Sequence, residues 1–320
     1  MFTKKVQKIF RGVVYARSSE QPHIHLFSAK DFEGLNQESF DVESSLGHTL
    51  KGYFYYYENP IKNKLIVFEH GMFGGHRSYM REIEMLAKHG YLVYAYDHTG
   101  CMESGGSGTG GFAQSLRDSN EVISKLKEIE KLHGYDIYVM GHSWGGFATL
   151  NVSRFHPDIK KIVAISGFVS PKKIIYQHLG GHLRIFAKKI YKGEVSLNPD
   201  YMEISALDTL ANMTGEALII HSPNDNVVSY KKHFLLLQKT FKDKKNISFL
   251  TVPNTKHNPN YTEEAVKEKD RLFSEVKIAQ KKNELSSPEA CEAFKNRFDW
   301  YKITEQNEDV WARIFQFLDK

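Results

Sequence analysis

The chain carries only two cysteines in 320 residues, Cys101 and Cys291, far apart and without metal-type spacing. That scarcity excludes a disulfide framework. The fifteen histidines form no H-E-x-x-H or similar zinc pattern, so a metal mechanism has no support. Long apolar runs are missing too: nothing approaches the roughly 20 residues of a membrane span. The basic start, MFTKKVQKIFRGVVYARSS, lacks a signal-type apolar region. A cytoplasmic protein with no stable membrane anchor is expected. Nor does charge of one sign dominate. The formal net charge is +5, and stretches such as EEAVKEKDR alternate in sign like a solvated helix face, so no nucleic-acid partner is expected.

What is present is ordinary for a globular enzyme, with 41% apolar and 25% charged residues. Short β-rich runs alternate with helical patterns. FDVESS and LKGYFYYY flank Gly47 as a hairpin; KLIVFEH, YLVYAYD, YDIYVMG, KIVAISG, EALIIHS and ISFLTVP are apolar runs bounded by turn residues. Between them, RSYMREIEMLAKHG closes on Gly90, SLRDSNEVISKLKEIEKLHG closes on Gly134, and WGGFATLNVSRFHP ends before Pro157, all helix-stop signals. This strand, helix, strand order predicts an α/β domain with a mostly parallel sheet covered on both faces.

Two stretches exceed that alternation. Residues 168–207 are longer than one crossover helix needs and read as a cap over the carboxyl edge of the sheet. Ile175, Leu179, Leu183, Phe186 and Ile190 recur at helical spacing there, although Gly180 and Gly181 weaken the middle. Residues 261–300 read as a helical excursion before the terminal helix EQNEDVWARIFQFLDK, with Ser287 as N-cap and Pro288 at the first helical position of a new helix. One domain, 1–320, holds both insertions.

The chemistry centres on GHSWGG, residues 141–146. A G-x-S-x-G match arises by accident in roughly one chain in ten of this length, so its surroundings must carry the case. YDIYVM is a strand pattern, WGGFATLNV a helix pattern, and GHS the turn between them. A serine projecting from so sharp a turn needs small residues two before and two after it, which Gly141 and Gly145 supply. A serine hydroxyl also needs a base to take its proton. In the order serine, acid, histidine, ISFLTVP leads into NTKHNPN and places His257; EALIIHSPNDN offers Asp225 to orient it. The oxyanion donors are expected to be the backbone N–H of Trp144 and of Met72, the latter in HGMFGG directly after KLIVFEH. His70 is expected to support that loop rather than move protons.

Taken together, HGMFGG, DHTGCMES, GHSWGG, Asp225 and His257 resemble the α/β-hydrolase superfamily, and within it the monoacylglycerol lipase, lysophospholipase and serine aminopeptidase-like branch. The resemblance covers roughly residues 40–257 plus the last helix. It implies the α/β-hydrolase fold with an eight-stranded core, a cap over the active site, no cofactor, and a two-step reaction through an acyl-serine. The chain departs from the pattern where relatives carry D-x-x-G-H-G-x-S, since Cys101 and Met102 stand in that loop; Cys101 reads as a small loop residue. A small-molecule ester is the expected substrate, with Tyr176, His182 and Phe186 of the cap as candidate contacts for an acyl chain or an anionic group.

Three rival readings compete with this one. GSGTGG at 106–111 matches G-x-G-x-x-G, but the preceding strand ends near Asp97, too far upstream for a phosphate turn. The second is a peptidase: GHSWGGFATL also resembles the elbow of prolyl oligopeptidase-type enzymes, and an aminopeptidase with a cap would use Glu194, Asp200 or Glu203 to bind a substrate amine. A binding module on the same fold would not need every catalytic position to be filled, as it is here.

Overall fold

The computed structural model describes residues 2–58, 60–61, 63–179 and 184–320. Helix α1 (Phe2–Val14) precedes β1 (Asn36–Ser39), a short ribbon of β2 (Val42–Glu43) and β3 (Thr49–Leu50), and then β4 (Gly52–Tyr56) and β5 (Lys64–Glu69). Next come α2 (Met80–Lys88), β6 (Leu92–Tyr96), α3 (Gln114–Lys127), β7 (Asp136–His142), α4 (Trp144–Asn151) and β8 (Lys161–Ile165). The insertion that follows contains α5 (Pro171–His178), α6 (Arg184–Leu197), α7 (Pro199–Met202) and α8 (Ala206–Asn212). The chain then returns to the sheet with β9 (Glu216–His221), α9 (Phe234–Thr240) and β10 (Ile247–Thr251), and ends in α10 (Glu263–Lys281), α11 (Pro288–Lys295), α12 (Trp300–Ile303) and α13 (Glu308–Leu318).

Eight strands form one sheet in the order β1-β4-β6-β5-β7-β8-β9-β10. β1 with β4, and β4 with β6, pair antiparallel; every later pair is parallel. The central strands read as nearly continuous apolar runs because both faces are covered. One core packs α3 and α4 against the sheet through Leu116, Ile123, Phe147 and Leu150. The other packs α2 and α13 through Ile83, Leu86, Trp311 and Ile314. β1 is the element least visible in the sequence: Asn-Gln-Glu-Ser is exposed throughout, and this edge strand is held by its register with β4 rather than by an apolar face. The expected hairpin around Gly47 reduces to the β2–β3 ribbon, while Gly52–Tyr56 joins the main sheet.

Within the cap stretch, α5 and α6 stand where the spacing from Ile175 to Ile190 suggests one helix. Ser170 caps α5 by accepting the Lys173 N–H at 3.3 Å with Pro171 at the first helical position, and α5 closes at Leu179, just ahead of the two poorest helix formers in the sequence there. In the later insertion, Ser287 Oγ accepts the Ala290 N–H at 3.2 Å, so α11 starts where its cap signal places it. Among the described residues, no helix is long and apolar enough to cross a membrane.

Helix α1 has no counterpart in the expectations above. Its end is stitched to the rest of the fold. Arg11 Nε donates to Glu194 Oε1 of α6 at 3.1 Å, and the Tyr15 hydroxyl donates to the other oxygen of that carboxylate. Beyond the helix, Arg17 donates to the carbonyls of Met102, Ser104 and Gly106, and Ser18 Oγ to that of Phe73. The glycine-rich stretch at 105–111 thus packs against this amino-terminal segment: a side chain at Gly108 would overlap the Tyr15 carbonyl.

Candidate active site

Strands β5, β7, β9 and β10 all deliver loops to the carboxyl edge of the sheet, where open α/β sheets place their sites. At the end of β7, Ser143 takes φ 57° and ψ −110°, a positive φ that is costly for a side-chain-bearing residue. The strain is held by packing. A Cβ at Gly141 would lie 2.7 Å from Glu69 Cβ, and one at Gly145 would overlap the Glu69 carbonyl, so strand and helix meet only because both positions are glycine.

Three side chains converge there. His257 Nε2 lies 2.8 Å from Ser143 Oγ, and His257 Nδ1 lies 2.7 Å from Asp225 Oδ2. With Nδ1–H donating to the carboxylate, Nε2 is left as the acceptor for the serine hydroxyl. The Asp225 carboxylate is fully buried, and its Oδ1 accepts the N–H groups of Val227 and Val228 at 2.8 and 2.9 Å. Burial acts to raise its pKa, but hydrogen bonds from His221 and His257 overcome that and hold it well below the ordinary carboxylate range. His221 is the partner the sequence reading missed. It ends β9, four residues before the acid, and places Nε2 3.0 Å from Asp225 Oδ2 and 2.9 Å from the Val228 carbonyl.

Met72 and Trp144 line the same pocket as the serine. Trp144 is the first residue of α4, where helix geometry leaves an N–H without an intrahelical partner. Its indole has a separate duty: buried, it donates Nε1–H to the Phe112 carbonyl at 2.8 Å and so pins the loop ahead of α3. Met72 lines the same pocket, in a loop whose next residue, Phe73, has φ 65°. His70 supports that loop. Its Nδ1–H donates to the Gly71 carbonyl and its Nε2 accepts the His98 N–H, each at 2.8 Å; burial, then the neighbouring His98, pushes its pKa down to about 3. Cys101 is fully buried, and burial pushes its thiol pKa far up, away from thiolate chemistry.

Above Ser143 lies a pocket of about 710 Å³. Phe112, Trp144 and Phe168 line it from the sheet side; Ile9, Phe10, Val13 and Val14 line it from α1; Val266, Lys269, Asp270 and Phe273 line it from α10. Both amino-terminal helix and carboxyl-terminal insertion are therefore walls of the site. From α5 the contributors are Ile174 and His178, one helical turn apart, followed by Leu179. Tyr176, half a turn round that helix, and Phe186 on α6 do not line the pocket; both are half-buried against the larger core. His182 falls outside the described residues. Of the three carboxylates considered for amine binding, Asp200 and Glu203 are exposed and away from the pocket, and buried Glu194 is engaged by Arg11 and Tyr15. Asp270, which does line it, is paired with Lys256. Among the described residues, no three of His, Cys, Asp and Glu are grouped to hold a metal ion.

The strand order and the turn geometry at Ser143 decide the architecture. The chain has the α/β-hydrolase fold. Solved α/β-hydrolases agree with it: an esterase of Pyrococcus furiosus superposes with TM-score 0.55 at 20% identity, over 75% of this chain and 90% of that one. Est1E of Butyrivibrio proteoclasticus, solved with ferulic acid, gives TM-score 0.56 at 21% identity over 75% and 99%. Pyrococcus horikoshii acylaminoacyl peptidase gives 0.51 at 19% identity over 71% and 38%. By sequence, residues 60–206 match the family model described as serine aminopeptidase, S33. A proline iminopeptidase of Clostridioides difficile (strain 630) is 33% identical over 130 residues, which cover 39% of this hydrolase-fold chain and 43% of that relative.

Proposed function

We propose that the chain is a serine hydrolase of carboxylic esters with an apolar acyl group, working through an acyl-serine. The observation that carries this reading is the unbroken hydrogen-bond line from Ser143 through His257 to Asp225, opening into a pocket lined mainly by aliphatic and aromatic side chains. As Ser143 Oγ attacks the acyl carbon, its proton passes to His257 Nε2, and the buried Asp225 carboxylate stabilises the imidazolium. The oxyanion meets the N–H groups of Met72 and Trp144, donors of a kind each worth about 3 to 4 kcal/mol. On collapse, the departing alkoxide takes the proton from His257. A water then gives a proton to His257 Nε2 as its oxygen attacks the acyl carbon, and on collapse His257 returns that proton to Ser143 Oγ, releasing the acid and the free serine.

The second reading is a peptidase, favoured by the aminopeptidase family model and the iminopeptidase relative. Recognition of a free amine calls for an unpaired carboxylate in the pocket, but Asp270, which lines it, is engaged by Lys256, and Glu194, which does not line it, is engaged by Arg11 and Tyr15. That supports the ester.

The test is a panel of p-nitrophenyl esters of rising chain length beside aminoacyl anilides, run on the wild type, Ser143→Ala, His257→Ala and the double variant. Ester turnover is expected, with each single substitution costing several orders of magnitude and the double little more, since the triad acts as a unit. Turnover of the anilides alone would favour the peptidase. Additive losses would break the shared role.

A further inference from the structure

Behind the site runs a second hydrogen-bond line. The Tyr79 hydroxyl accepts the Gly71 N–H at 3.1 Å and lies 2.8 Å from His142 Nδ1, and His142 Nε2 lies 2.7 Å from the backbone oxygen of His257. The proton directions follow from the partners. A carbonyl oxygen only accepts, so His142 must carry its proton on Nε2. A neutral imidazole then has Nδ1 free as an acceptor, so the Tyr79 O–H donates to it while its lone pair receives Gly71. Burial, and then the nearby His257, hold the His142 pKa well below its ordinary value, which keeps the ring in that neutral form.

We propose that Tyr79 and His142 are positioning residues that lock three separate parts of the reaction centre to one another, a role that rests on the serine-hydrolase reading above. Gly71 immediately precedes Met72, whose N–H is the oxyanion donor. His142 immediately precedes Ser143. The carbonyl at the far end belongs to His257, the base itself. One line of three hydrogen bonds thus joins the oxyanion loop, the elbow and the histidine loop, which come from β5, β7 and β10 and are otherwise far apart in sequence. The fit is close: a Cβ at Gly71 would sit 2.5 Å from the Tyr79 oxygen, so the loop approaches the hydroxyl only as glycine. Mutual placement of this kind controls rate steeply, a displacement of 1 Å being able to cost about 100-fold.

The test uses the full chain with Tyr79→Phe, His142→Leu, His142→Gln and the Tyr79→Phe/His142→Leu pair. Active sites are counted by fluorophosphonate titration, so that rates refer to reactive protein. Glutamine can still offer an N–H near the Nε2 position, while leucine removes both bonds. Tyr79→Phe and His142→Leu should each lower kcat per titrated site by about 10- to 100-fold, with KM for a short-chain ester changing much less. The pair should be little worse than the poorer single, since each breaks the same line. His142→Gln should recover part of the loss. Unchanged kcat per titrated site together with a lowered Tm would overturn the proposal and leave a merely structural contact; so would additive losses. If the wild type neither hydrolyses esters nor takes the fluorophosphonate, the hydrolase reading itself fails and this role with it. A fully active wild type with unaffected variants sinks the positioning role alone.

Discussion

His221 Nε2 lies 3.0 Å from Asp225 Oδ2, the same oxygen that faces His257 Nδ1 at 2.7 Å. The acid is therefore held between two imidazoles and two backbone N–H groups, and it is fully buried. Replacing His221 with leucine removes one of these supports without touching Ser143 or His257. We expect kcat to fall about 10-fold, well short of the roughly 10⁴-fold cost of losing the acid's function in a triad. Steady-state kinetics of His221→Leu beside Asp225→Asn checks this, and equal losses would mean that His221 is as essential as the acid.

Helix α1 makes the second expectation. Phe10 and Val14 lie on the pocket side of a helix fastened to α6 by Arg11 and Tyr15 through Glu194. Removing the ring in Phe10→Ala opens apolar space, so the ester profile should move towards longer acyl chains. Each methylene newly accommodated is worth about 1 to 3 kcal/mol in kcat/KM. An unchanged ratio of long-chain to short-chain kcat/KM would place the acyl group elsewhere in the pocket.

Stability should depend on acid. Burial pushes the pKa of His70 and of His233 down to about 3, with neighbouring His98 and His221 respectively adding to the effect, and it holds His142 well below its ordinary value. Unfolded histidines titrate near 6.5. Below that pH the unfolded chain binds protons that the native chain refuses, so stability present above about pH 6.5 is lost as pH falls towards 3. Each histidine contributes up to about 1.4 kcal/mol per pH unit in that window. Glu69 and Glu82, raised chiefly by burial, act in the opposite sense by keeping protons that unfolded carboxylates release. Thermal unfolding should show Tm dropping by at least about 5 °C between pH 7 and pH 5. A flat or rising Tm over that range would contradict the neutral, buried histidines.

Much of this site was legible because its signals are local. Gly141 and Gly145 announce a turn that only small residues permit, and Asp225 and His257 follow strands whose apolar runs are bounded by turn residues. What was not legible depends on partners far along the chain. In FTKKVQKIFRGVV, the spacing of Val6, Phe10 and Val14 is a helix signal, but the surface that α1 covers is built by α6, more than 170 residues later. Glu194 reads as one more solvent-facing carboxylate until Arg11 and Tyr15 are seen to enclose it. Tyr176 and Phe186 read as pocket residues because they are aromatic; helix phase turns Ile174 and His178 of α5, rather than Tyr176, to the cavity, and Phe186 on α6 packs against the larger core. His221 sits four residues before the acid, a spacing that has no meaning until the loop between them folds back.

The central claim is that Ser143 is a nucleophile activated by His257. Intact-protein mass spectrometry after exposure to a fluorophosphonate, with peptide mapping, measures it most directly. The wild type should gain one adduct mass on Ser143, His257→Ala should label far more slowly, and Ser143→Ala should not label. An unmodified wild type, or label on another residue that persists in Ser143→Ala, would contradict the account.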